Sequence, residues 1–138
     1  MVTLIIGKKG SGKTKKLIQL ANEAVARSSG NVVVIDKGTK LTYDVTHKAR
    51  LIDTELYGVK GYDMLYGFIS GICAGNYDVT DIFVDATFKI CTEGVAGLEA
   101  FVAKLNELEK ESEAKITLLI SSGEDALPAE LSAVCEEI

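Results

Sequence analysis

Residues 2–6, VTLII, lead without a break into residues 7–14, GKKGSGKT. The apolar run reads as a strand, and the eight residues after it fit the pattern G-x-x-x-x-G-K-[ST]. Each position has a chemical reason. Gly7, Gly10 and Gly12 let the backbone wrap tightly and aim successive N–H groups at phosphate oxygens, and Lys8, Lys9 and Ser11 complete the wrap. Lys13 supplies a point charge for the β- and γ-phosphates and is the catalytic candidate, while the Thr14 hydroxyl suits Mg²⁺. A helix beginning there adds the positive end of its dipole. The stretch therefore predicts a strand, a phosphate-binding loop and a helix, with a nucleoside triphosphate and Mg²⁺ as ligands.

Working outward, Leu17, Leu20, Ala21, Ala24 and Val25 recur at helical spacing up to residue 27, and SSG at 28–30 ends that helix. Residues 31–36, NVVVID, form a continuous β-branched run, as a strand buried on both faces requires. A polar stretch with Tyr43 and His47 precedes a short edge strand at 50–53, and residues 57–62 read as a loop with glycine hinges. Asp63 is placed to cap a helix running to residue 74. Its Gly67, Gly71 and Gly75, four apart, predict close packing on the sheet or a neighbouring helix, with a subunit interface as the alternative. Residues 81–85 (DIFVD) and 116–120 (ITLLI) read as strands, and 95–113 as an amphipathic helix between them. Pro128 suits the first position of a last helix carrying Leu131, Val134, Cys135 and Ile138. Strands alternating with helices predict an α/β three-layer sandwich with a mainly parallel sheet, built as one domain over residues 1–138.

Composition narrows the function classes. The chain is 47% hydrophobic and 25% charged, carries no signal-peptide pattern, and has no apolar run long enough to span a bilayer. Cys73, Cys91 and Cys135 are odd in number and scattered, which reads as reduced thiols in a cytoplasmic protein. With His47 as the only histidine, a His/Cys zinc site is not expected. Residues 1–50 hold ten Lys/Arg against three Asp/Glu, and residues 51–138 hold five against seventeen. The basic part surrounds the glycine loop, where an anion would be drawn in. Two arginines, Arg27 and Arg50, and a net charge of −5 argue against a nucleic-acid surface.

Phosphate binding needs a partner for the metal. Asp85 ends an apolar strand, where a metal-holding aspartate belongs, with a capping or turn aspartate as the alternative. Asp36 ends another, and both fall with the glycine loop at strand carboxyl ends, where open α/β sheets bind ligands. Ser121 and Ser122 follow the 116–120 strand and are candidates for sensing a γ-phosphate or for a plain turn.

With residues 7–14 and the strand ending at Asp85, the chain resembles the P-loop NTPase superfamily, and within it the RecA-like ATPases, in a reduced form. The resemblance implies ATP with Mg²⁺, bound through Gly7, Lys8, Lys9, Gly10, Ser11, Gly12, Lys13 and Thr14, with Thr14 and Asp85 on the metal. It also implies a water-activating glutamate two residues after the aspartate of the second strand, or directly after Asp85. Those places hold Gly38 and Ala86. Glu55 and Glu93 are the remaining candidates, and no arginine is well placed as a finger, Arg50 being the better of the two.

The resulting expectation is an ATP·Mg²⁺-binding domain that hydrolyses slowly or with a partner's help, residues 37–62 being the segment that responds to nucleotide. A small-molecule kinase using Asp36 as base and residues 37–62 for the acceptor is one alternative. A non-catalytic nucleotide sensor or assembly module is another, its opposite charges and glycine stripe allowing self-association.

Overall fold

The structure, a computed structural model, describes residues 1–8, 10–41, 44–121, 127–128, 131 and 135–137; of the last three only the backbone is described. Among the described residues six strands form one all-parallel sheet: β1 (Val2–Gly7), β2 (Asn31–Asp36), β3 (Arg50–Asp53), β4 (Val79–Val84), β5 (Lys115–Ser121) and β6 (Cys135–Glu137), in the order β3-β2-β4-β5-β1-β6. Four α-helices among the described residues accompany it: α1 (Lys13–Arg27), α2 (Gly61–Gly75), the single turn α3 (Thr87–Ile90) and α4 (Leu98–Ser112).

Alternation along the strands sorts the core into two layers. Ile5, Val32, Val34, Phe83 and Leu119 face Leu17, Ala21 and Ala24 of α1, with Leu41, Val45 and Ala49 from the connection to β3. On the opposite face Leu4, Val33, Ile35, Ile82, Val84 and Leu118 meet Leu65 and Ile69 of α2 and Phe101, Val102 and Leu105 of α4. The three-layer α/β sandwich expected from the sequence is what forms. Buried, β-branched strands make it possible, because each one must satisfy apolar neighbours above and below.

Three expectations are corrected. The last helix does not extend over the chain's end: residues 135–137 lie as β6, parallel to β1 with Val2 opposite Cys135. Val134 and Ile138, with Tyr43 and Ser122, lie outside the described residues. Asp63 does not cap α2, which starts earlier, with Lys60 at the cap and Asp63 in the first turn. The glycine stripe does not pack, since a Cβ added at Gly67, Gly71 or Gly75 would meet nothing within 4 Å. It faces outward because Leu65, Ile69 and Cys73 already supply the helix's buried face.

Parallel pairing also fixes where the functional ends lie. Gly7 stands opposite Ser121, Asp36 opposite Asp53, and Ile35 opposite Val84. All strand carboxyl ends therefore share one edge of the sheet.

Candidate functional site

At that edge β1 hands over to the loop. Gly10 and Gly12 adopt φ of 82° and 88°, the left-handed region that a side chain disfavours. The Ser11 amide donates to the Lys8 carbonyl (3.0 Å), and the Lys16 amide donates to Gly12 (3.0 Å), starting the helix. The first turn of α1 has no acidic residue, and no side chain caps it. Its leading amides thus keep their capacity to bind an anion. The Lys13 ammonium folds back over the loop and donates to the Lys8 carbonyl at 3.2 Å. Thr14 sits half-buried beside it in the same turn, and Lys9 lies outside the described residues.

Asp85 and Asp36 are brought together by the β2–β4 pairing, in which the Asp85 amide donates to the Ile35 carbonyl at 2.8 Å. Alternation past Ile35 and Val84 turns Asp36 to the face that carries α1, and Asp85 follows Phe83 on that side. Both residues are fully buried. The Asp36 carboxylate accepts from the Lys37 amide (2.7 Å), yet its Oδ2 has no hydrogen-bond partner, nor has either Asp85 oxygen. The hydroxyl of fully buried Thr87 is unpartnered too. Lys40 reaches in from the exposed side, its ammonium 3.2 Å from Asp85 Oδ2 and 4.0 Å from Asp36 Oδ1, a charge contact to Asp85 without hydrogen-bond geometry. Burial, and then the neighbouring Asp85, push the Asp36 carboxyl up to about 6.

Buried carboxylate oxygens without hydrogen-bond donors are costly and a cation is the usual compensation, which the half-exposed Lys40 ammonium supplies in part here. β4 stands two strands from β1, roughly 10 Å at ordinary strand spacing, with β5 between them. The chemistry of the donors, carboxylate and hydroxyl oxygen, suits Mg²⁺. Asp36, Asp85 and Thr87 are thus buried oxygen-bearing residues at or just beyond the carboxyl ends of β2 and β4, with Thr14 in the first turn of α1. Thr87 was not legible in the sequence, since it follows Asp85 by two residues with no pattern to mark it.

The other sequence candidates disperse. Glu93 accepts the Tyr62 amide (3.2 Å) and so serves the start of α2. Glu55 lies exposed after β3, on the rim of a cavity. Arg27 pairs with buried Asp81 (3.2 Å) at the amino-terminal end of β4, away from the loop. Arg50 begins β3, opposite Val33 in mid-sheet, and is no finger for the carboxyl edge. Ser121 ends β5 opposite Gly7, at the same edge as the glycine loop.

Cys73 and Cys91 are buried free thiols. Burial raises both, Cys91 to about 12 with the help of Glu93, so neither offers a thiolate at neutral pH. Among the described residues no group of three or more His, Cys, Asp and Glu is arranged to hold a metal, and no helix is long and apolar enough to cross a membrane. Compared with protein-family models and with curated proteins, the chain matches neither.

Proposed function

We propose that the chain is a RecA-like nucleotide-binding domain of the P-loop type that holds ATP·Mg²⁺ at the carboxyl edge of its sheet. The observation that carries this reading is Asp85. Its two carboxylate oxygens are buried without a hydrogen-bond donor, on the sheet face that bears α1 and the glycine loop. The loop amides and Lys13 would take the phosphates, and Thr14 and Asp85 would hold the ion, with Asp36 and Thr87 beside them. Mg²⁺ bound there would supply neutralisation of the β- and γ-phosphate charge.

What the chain's own residues do not provide, among those described, is a group to orient water. The two positions that the resemblance assigns to glutamate hold Gly38 and Ala86, and Glu93 and Arg27 are engaged elsewhere. Phosphoryl transfer depends on an in-line nucleophile held by such a group, so turnover by the isolated chain is slow and a partner completes the site. The same bareness favours a second reading, a nucleotide sensor that binds without hydrolysis. Free thiols and ATP use go with a cytoplasmic setting.

A single-turnover experiment tests both, with protein in excess over labelled ATP·Mg²⁺ and Lys13→Ala and Asp85→Asn as controls. Retained nucleotide with slow phosphate release, both lost in the controls, is the expected result. Retention without release selects the sensor. No retention by the unaltered protein overturns the nucleotide reading.

A further inference from the structure

A cavity of about 490 Å³ opens at the same edge of the sheet, but none of its lining residues belongs to the 7–14 loop. Its wall comes from three connections: Lys37 after β2, residues 54, 55 and 58–60 after β3, and Lys89, Ile90 and Thr92 after β4. Val59 and Ile90 in that wall belong to the core on the α2/α4 side, the face opposite α1. The volume is that of an ordinary small-molecule pocket.

The charge of the wall is the informative part. Lys37, Lys60 and Lys89 reach the cavity from separate elements, against one carboxylate, Glu55. None of the three lysines has an ion-pair partner among the described residues. Residues 51–138 carry only five Lys/Arg against seventeen Asp/Glu, and two of those five line this cavity. Three exposed lysines without ion-pair partners around a partly apolar hollow give it a positive potential that favours an anion. Lysine in such a place acts as a point charge for phosphate or carboxylate, while Val59 and Ile90 offer an apolar wall to the rest of the molecule.

We propose that this cavity is a binding site for a small organic anion, a phosphate- or carboxylate-bearing molecule with an apolar body, separate from the nucleotide site. The inference stands on the cavity alone and does not require that the glycine loop bind ATP.

The test uses the full chain with two probes, phenyl phosphate and benzoate, followed by amide shifts in NMR titrations. Saturable shifts at Val59, Ile90 and Thr92 are expected with at least one probe, and the tighter probe identifies the anionic group. A Lys60→Gln/Lys89→Gln variant, altered only at exposed positions, should weaken binding at least ten-fold. Glu55→Gln should tighten it several-fold, an outcome that misfolding cannot imitate. Lys13→Ala should leave it unchanged, which separates this site from the nucleotide reading. Absence of saturable shifts with both probes, shifts confined to residues 7–14, or equal affinity in the double-lysine variant would each overturn the proposal.

Discussion

Asp36 ends β2, Asp85 directly follows the neighbouring parallel strand β4, and the two are buried with the Lys40 ammonium closer to Asp85 (3.2 Å) than to Asp36 (4.0 Å). The arrangement places two acids where neither is well solvated and gives them one exposed lysine between them. Its energetic consequences can be measured without any ligand.

The first concerns pH in metal-free buffer. In the unfolded chain Asp36 titrates near 3.8, and in the fold it is pushed up to about 6 by burial first and by Asp85 second. Between these values the folded protein holds a proton that the unfolded chain has lost. The group's contribution is therefore fully favourable below pH 4 and is lost as pH rises through 6, a change on the order of 3 kcal/mol. Asp36→Asn should remove that part of the pH dependence and be the more stable protein at pH 7. Thermal melts of both proteins from pH 4 to 7.5 in EDTA check this; parallel curves would show that Asp36 is not the titrating group.

Lys40 competes with any cation for Asp85. Its side chain is 48% exposed, so the pair is partly screened and its removal changes the balance by about 1 kcal/mol. Lys40→Ala should accordingly tighten Mg²⁺ binding roughly five-fold in calorimetric titration of the nucleotide-free protein. Weaker binding in the variant would mean that Lys40 organises the carboxylates rather than occupying them.

Directly after Asp85, Ala86 adopts φ 56° and ψ 35°, a left-handed conformation unusual for a residue with a Cβ. That geometry costs about 1 kcal/mol and turns the chain sharply into α3. Ala86→Gly should raise stability by up to that amount in urea unfolding, since glycine takes the same backbone without strain. An unchanged or lower midpoint would show that the fold does not carry this strain.

Two glycines should respond in opposite directions to the same change. A Cβ at Gly30 would lie 2.0 Å from the Asp78 carbonyl oxygen, which accepts the Asn31 amide where β2 begins. Backbone has to move, and Gly30→Ala should cost about 2 kcal/mol or more. Gly71 lies mid-helix in open space, so Gly71→Ala should stabilise by about 0.5–1 kcal/mol. Denaturant midpoints of the two variants decide it, and destabilisation by Gly71→Ala would mean that the stripe is covered by a partner.

Local order was legible wherever a single period or motif governs a segment. The β-branched run of β2, the Leu17–Ala21–Ala24 face of α1 and the glycine loop between β1 and α1 all express short-range rules. Those rules are side-chain alternation, helical spacing and the conformational needs of glycine. The α/β class follows from them, because such segments bury their apolar faces only in layers. The outward turn of Gly67, Gly71 and Gly75 was not legible, since spacing alone does not say which face of α2 the sheet will take. Nor was β6, where Pro128 suggested a helix and the free edge of β1 supplied hydrogen-bond partners for residues 135–137 instead.

The candidate site divides the same way. The sequence by itself determined that a glycine-rich loop follows β1 and that Asp36 and Asp85 lie at the carboxyl ends of strands, since residue type and spacing settle both. Only the tertiary structure decided that the two aspartates are neighbours, that Lys40 joins them, and that three lysines from three connections line one cavity. Those relationships depend on strand order and on the face each strand end presents, which arise from long-range packing between segments up to about fifty residues apart.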